Sequence, residues 1–317
     1  MPAPVALFVY NRLRLTQQTV EALLANDLAP QTDLYVFSDG ARSLADAARV
    51  EAVRRYVGSI NGFRSVTLRA QPRNLGLSES IVTGVTELNE KFGRAIVVED
   101  DLVTSRHFLS YMNDALDLYE HDSEVISIHG YVYPHRVLGG ETFFLRGADC
   151  WGWATWKRGW DLFNPDATLL LSELEKRGLE RDFDFKHYPY TEMLRRQARG
   201  QNDSWAVRWY ASAFLLGKLT LYPTRSMVEN IGMEGSGTHS GWTYGMNAEP
   251  AAASRVLVRR VPLIEDARAR REFERFFLSM QTRRPLVGAW KIARHPRSAA
   301  GAITNLVKHM MGFATHR

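Results

Sequence analysis

The sequence predicts an α/β fold, a mostly parallel sheet with helices on both faces, and two observations carry the prediction. Short apolar runs of strand length, rich in Val, Ile, Phe and Tyr, alternate with longer segments of helical period from the first residues onward. Polar residues stand at the ends of the runs, as expected where strand ends open into ligand-binding loops. Strand and helix in alternation make parallel neighbours, because a helical crossover returns the chain to the same end of the sheet.

Taken in order, the strands are Val5 to Tyr10, Leu34 to Phe37, Val66 to Arg69, Ala95 to Val98 and Val125 to His129, with helices over 15–26, 43–57, 78–91 and 106–120 between them. Thr16, Ser43 and Ser105 stand near helix starts, where a side-chain oxygen can satisfy free N–H groups. From about 142 the pattern changes. A strand, Thr142 to Arg146, leads to a tryptophan-rich turn and helix over 150–160. Helices come next near 169–177 and 187–199, and Asn202-Asp203-Ser204 starts another that runs to about 217. The strand Leu219 to Tyr222 precedes a glycine-rich stretch over 232–241. We therefore divide the chain into a domain over residues 1–250, with one half to about 140 and a second from about 141, and a basic helical tail over 251–317.

With 45% hydrophobic and 24% charged residues, the 317-residue chain is not disordered, collagen-like or a coiled coil. Charge is unevenly spread. Residues 251–317 hold 14 Lys+Arg against 4 Asp+Glu, which leaves 26 against 31 in residues 1–250. A tail at +10 on a body at −5 suggests an anionic partner. Cys150 is the single cysteine, which excludes an internal disulfide and a cysteine-cluster metal site. The amino terminus lacks a basic region and reads as a strand, and no run is long and apolar enough to span a bilayer. The expected compartment is the cytoplasm, either free or attached peripherally to the inner face of a membrane.

No GxGxxG comes after the first strand and no GxxxxGK[ST] occurs, so dinucleotide and P-loop devices lose their main support. The strand ends instead carry Asn11-Arg12, Ser38-Asp39-Gly40 and Glu99-Asp100-Asp101, three loops expected to line one crevice. Three adjacent carboxylates at a strand end repel one another and resist desolvation. A divalent cation shared with substrate phosphates relieves both costs, and a solvated acidic run before a helix is the competing explanation.

Ile96-Val97-Val98-Glu99-Asp100-Asp101-Leu102, with Val9-Tyr10-Asn11-Arg12, Ser38-Asp39, Phe144-Leu145-Arg146, Gly152-Trp153, Asn202-Asp203-Ser204-Trp205 and Gly237-Thr238-His239-Ser240-Gly241, resembles the N-acetylglucosaminyltransferase I family of GT-A glycosyltransferases. The likeness covers roughly residues 4–241. It implies a metal-dependent, inverting transfer of sugar from a nucleotide-diphosphate donor, with UDP favoured, to a glycan or lipid-linked acceptor in bacterial surface polysaccharide or glycolipid assembly. It also implies Mn²⁺ or Mg²⁺ on Asp101, with Asp100 on the ribose or sugar and Glu99 orienting the sugar; His239, an imidazole among glycines, is either a second metal ligand or an exposed residue of a flexible surface loop. Arg12 and Asp39 would hold the base. Where the family carries a histidine near the nucleotide, this chain has Gly84.

Asp203 matches the family's catalytic base, although an Asp at a helix start also serves as a cap worth about 1 kcal/mol. Asn11 and Asn74, the latter beside Arg73, are candidate donor contacts, with turn formation as their other use. Trp151 and Trp153 are candidates for an acceptor wall and Ser240 for a lid, hinged at Gly232, Gly235, Gly237 and Gly241. Trp156 and Trp160 read as core. Arg146 and Asp149 are open between a sugar contact and an internal ion pair, and His129 and His135 read as packed polar residues. The tail interleaves Arg268, Arg270, Arg271 and Arg275 with Phe273, Phe276 and Phe277, a pattern suited to an anionic membrane surface or to packing on the domain. Nucleic acid is not expected as a partner. A sugar nucleotidyltransferase shares the sheet and the acidic site, but it normally has a glycine-rich loop where Asn11-Arg12-Leu13-Arg14 stands. A non-catalytic glycan- or membrane-binding protein on a transferase scaffold is the third reading.

Overall fold

The computed structural model describes residues 1–136, 138–232 and 254–294, with side chains described to residue 281. The chain runs β1 (Val5–Val9), α1 (Leu13–Leu24), β2 (Asp33–Ser38), α2 (Leu44–Val57), β3 (Ser65–Ala70), α3 (Leu77–Phe92), β4 (Arg94–Glu99), β5 (Leu102–Thr104), α4 (Phe108–Leu118) and β6 (Val125–His129). It continues through β7 (Thr142–Arg146), β8 (Trp153–Trp156), α5 (Lys157–Trp160), α6 (Ala167–Lys176), α7 (Glu180–Phe183), α8 (Tyr190–Ala198), α9 (Trp205–Leu215), β9 (Leu219–Pro223), β10 (Val228–Asn230) and α10 (Ala267–Arg294).

Eight strands form one sheet in the order β3-β2-β1-β4-β8-β6-β9-β7. The first four are parallel, as the alternation predicts. Beyond β4 the sheet is mixed: β8 runs antiparallel to both β4 and β6, β6 and β9 are parallel, and β7 is antiparallel to β9. Strand order reverses at β1, between β2 and β4, so the crevice for a ligand opens at the carboxyl ends of β1 and β4.

Side chains alternate across the sheet. Val5, Leu7 and Val9 with Ile96 and Val98 face α1, α2 and α4, while Ala6 and Phe8 with Val97 face α3 and α9. On the second face Phe8 and Phe37 stack at 5.0 Å, and a Cβ on Gly84 of α3 would meet both rings. A side chain at 84 as large as histidine has no room there unless these rings move.

The segment from 150 differs from the expected turn and helix. Trp153 and Trp156, whose spacing suggests one helical face, belong to strand β8 and point to opposite faces of the sheet. Only Lys157–Trp160 is helical. Aromatic residues suit a strand buried on both faces, and that context outweighs the helical spacing.

The tail expectation also changes. Phe273 and Phe277 are each 1% exposed and pack among Tyr133, Phe143, Phe185, Tyr188 and Tyr222. These two rings are therefore core and not membrane-facing, because α10 supplies the cover for β7 at the sheet edge. Arg268, Arg271 and Arg275 stay exposed on α10. Among the described residues no helix is long and apolar enough to cross a membrane.

Candidate functional site

The acidic triplet lies where strand order reverses. Phe8 of β1 is in register with Glu99 of β4, and the Tyr10 backbone N–H donates to the Asp100 carboxylate. Arg12, at the N-cap position of α1, turns its guanidinium onto the acids. Its Nη2 contacts Asp100 Oδ1 and lies 3.0 Å from Asp101 Oδ2, while Nε reaches Asp100 Oδ2 at 3.4 Å. Burial would lower the Arg12 pKa, but Asp100 and Asp101 outweigh it and hold the charge more firmly than usual. The resemblance gave Arg12 a base contact, whereas the structure puts its guanidinium on the carboxylates.

One guanidinium does not balance three acids. Glu99 is pushed up to about 8, first by loss of solvent and then by Asp101 and Asp100, with Arg12 opposing. Asp100, fully inside, is pushed up to about 6 by burial against the pull of Arg12. A site so short of positive charge, lined with hard oxygens, fits a divalent cation that takes its remaining ligands from phosphate oxygens. Among the described residues, no three His, Cys, Asp or Glu side chains come together as a group that could hold a metal ion.

β10 brings the later chain to the triplet. It pairs antiparallel with β5, Ile231 donates its N–H to the Asp101 carbonyl at 2.9 Å, and a Cβ on Gly232 would overlap the Asp101 carboxylate. The glycine at 232 is thus required by close approach to an acid of the site. His239 and Ser240, with Gly235, Gly237 and Gly241, lie outside the described residues.

Asp39 is differently employed from the expectation. Oδ1 accepts from the N–H groups of Gly40 and Leu75, both at 2.8 Å, and Oδ2 accepts from Asn74 Nδ2 at 2.8 Å and from the Gly76 N–H at 2.9 Å. A carboxylate has about four acceptor sites, so Asp39 has none left for the N–H of a base. Its work is to hold the loop before α3, and Asn74 is held in turn by Asp39 and the Gly40 carbonyl. Gly40 is needed here because a Cβ would overlap the Arg73 backbone. Arg54 closes the same region by donating to the carbonyls of Ser38, Asp39 and Gln71. Asn11 reaches away from the triplet to Asp46 at 2.9 Å.

The acceptor candidates separate. Trp153 is 1% exposed and stacks on Trp205 at 5.4 Å, so it is core and cannot form an acceptor wall. Trp151 is half-buried, its ring lies 4.7 Å from the Tyr131 ring, and its backbone N–H donates to His129 Nε2 at 3.1 Å. Nε2 must then be unprotonated, in keeping with burial lowering the pKa of His129 against the pull of Asp149. Arg146 and Asp149 are not paired with each other. Arg146 sits over the Phe214 ring and Asp149 accepts from the Cys150 N–H. Burial pushes the Cys150 thiol up, and Asp149, Glu99 and Asp101 add to it.

Asp203 precedes α9, but Ser204 occupies the cap, its Oγ accepting from the Val207 N–H at 3.3 Å. The capping role considered for Asp203 is therefore filled by its neighbour. Its side chain is 64% exposed, 3.3 Å from Arg208 Nη2, whose guanidinium also bonds Ser78 at the start of α3 and the Ser204 carbonyl. Because Trp205 stacks on Trp153, and Trp153 is in register with Val97, the start of α9 lies against the strand that ends in Glu99. Sequence reasoning missed Arg54 and Arg208, helical arginines with no local motif. It also missed the structural use of Asp39, although Ser38-Asp39-Gly40 carries the turn signal that could have indicated it.

No protein-family model matches the chain, and none of the curated proteins does. Among solved structures it is similar to the mannosyltransferase PcManGT from Pyrobaculum calidifontis in complex with GDP-Man and Mn²⁺, at 15% identity over 43% of this chain and 38% of that one, TM-score 0.31. It is similar to residues 1–349 of S. aureus TarS at 10% identity over 72% of this chain and 60% of that one, TM-score 0.40. A UDP-glucose pyrophosphorylase complexed with UDP-glucose shares 12% identity over 73% and 94%, TM-score 0.36. The chain thus spans well under two thirds of the mannosyltransferase and slightly under two thirds of the TarS fragment. At these scores the chain paths agree only loosely, and the function rests on this protein's own side chains.

Proposed function

We propose that the protein is a metal-dependent, inverting GT-A glycosyltransferase that uses a nucleotide-diphosphate sugar and a glycan or lipid-linked acceptor. The observation that carries this is the triplet Glu99-Asp100-Asp101 at the reversal of strand order, overlaid by Arg12 and by Gly232. In this reading Asp101 holds Mn²⁺ or Mg²⁺, with His239 as a second ligand, and Glu99 orients the sugar. When bound, the cation neutralises charge on the departing diphosphate. Asp203 accepts the proton of the acceptor hydroxyl as its oxygen bonds to the anomeric carbon and the bond from that carbon to the diphosphate breaks. Products are the glycoside and a nucleoside diphosphate. Incubation with UDP-, GDP-, CMP- and dTDP-sugars and Mn²⁺ should release the nucleotide from one donor class. Pyrophosphate release from a nucleoside triphosphate and a sugar phosphate would instead identify a nucleotidyltransferase, and no release in either assay would overturn the reading.

Among the described residues, the outer face of α10 carries part of the basic surface expected to meet an anionic partner. Arg268, Arg271 and Arg275 recur at spacings of three and four, with Leu278 beyond them, while the phenylalanines of the opposite face are used inside. Truncation would remove core residues, so charge reversal is the appropriate test. Each basic residue near an anionic bilayer contributes about 1 kcal/mol, and Arg268→Glu with Arg271→Glu should reduce retention on phosphatidylserine vesicles by roughly tenfold or more. Unchanged retention would remove the membrane from the account.

A further inference from the structure

We infer that Arg12 is a resident counter-ion of the acid pair, which a divalent cation must displace and which the donor diphosphate draws away. The inference rests on the functional reading above for the identity of the donor, but its geometry stands in the protein alone. One guanidinium nitrogen touches carboxylate oxygens of both Asp100 and Asp101, and a second nitrogen reaches Asp100. The Arg12 side chain is three-quarters buried, and Asp100 is almost wholly so.

A cation ligated by Asp101 Oδ2 would sit against a guanidinium that already lies 3.0 Å from that oxygen. Arginine cannot shed its charge to relieve the repulsion, so it must move. Asp101 has little room to retreat on one side, where Gly232 comes so close that a Cβ there would overlap the carboxylate. A diphosphate resolves the conflict twice over: it supplies oxygens that complete the cation's shell, and it offers the guanidinium fork an anion of matching geometry. Cation and nucleotide should accordingly bind with positive coupling, and the cation alone should bind weakly.

The test uses Mn²⁺ and the full chain without nucleotide, with free Mn²⁺ measured by electron paramagnetic resonance. Arg12→Met should bind Mn²⁺ at least about tenfold more tightly than the wild type, and Asp101→Asn added to that variant should abolish the gain. With UDP or GDP present, the wild type should gain Mn²⁺ affinity and Arg12→Met should gain less. Should Arg12→Met not fold, Arg12→Lys keeps a charge without the fork and is expected to raise affinity by a smaller, measurable factor. If neither variant exceeds the wild type in Mn²⁺ affinity, the counter-ion role is overturned. The outcome is independent of turnover: tighter Mn²⁺ binding in a protein that consumes no sugar nucleotide would retain this inference and discard the transferase.

Discussion

Asp101→Ala is expected to lower metal-stimulated consumption of the sugar nucleotide by about a thousandfold while the chain remains folded. A cation acting on a phosphoryl oxygen contributes several kcal/mol, and each 1.36 kcal/mol is a factor of ten. Folding should survive because Arg12 keeps its contacts with Asp100, and because removing the carboxylate relaxes rather than crowds Gly232. The deciding measurement is donor binding as a function of Mn²⁺: in the variant, added metal should no longer tighten it. Metal-dependent binding that persisted in Asp101→Ala would move the ligand role to another residue.

Asp203→Asn should have the opposite signature. Losing a general base costs about 10²–10⁴ in turnover, and the charged contact of Asp203 is with Arg208, not with Arg12 or the acidic triplet. Its one charged partner, Arg208, remains held by Ser78 and by the Ser204 carbonyl. An exposed ion pair of this kind contributes about 0–1 kcal/mol, so thermal stability should barely change. Ser204 continues to cap α9. Donor affinity should stay near that of the wild type while transfer to acceptor collapses. A parallel fall in donor affinity would show that Asp203 belongs to the nucleotide side and that the base is elsewhere.

The first half of the fold is legible because β1, β2 and β4 are buried on both faces. Val5–Val9 and Arg94–Glu99 read as apolar runs with no competing pattern, and the positions of the crevice loops are set by where those runs stop. The second half defeats the same reasoning at Trp153 and Trp156, where a strand buried on both faces and a helical stripe look alike in sequence. Phe273 and Phe277 are ambiguous for a related reason. An aromatic–basic helix packs on a sheet edge or on a bilayer with the same periodicity, and only the presence of β7 at the sheet edge decides. Within the site, residue types are readable and partners are not. Asp39 and Arg12 are the acid and base a nucleotide would want, yet hydrogen bonds to Leu75 and Gly76, and contacts with Asp100 and Asp101, come from segments more than 30 residues away.

The saturated carboxylate of Asp39 has a thermodynamic consequence for whatever enters the crevice. By fixing Gly40, Asn74, Leu75 and Gly76 it sets the start of α3 when the chain folds, so this wall loses its conformational entropy then and not at the moment of association. Ligand binding is left to meet only the ordering cost on the opposite side, where Arg12 must leave the acids. Affinity differences among nucleotides should therefore be governed by that side, while the α3 side acts as a rigid template whose shape is the same for all of them.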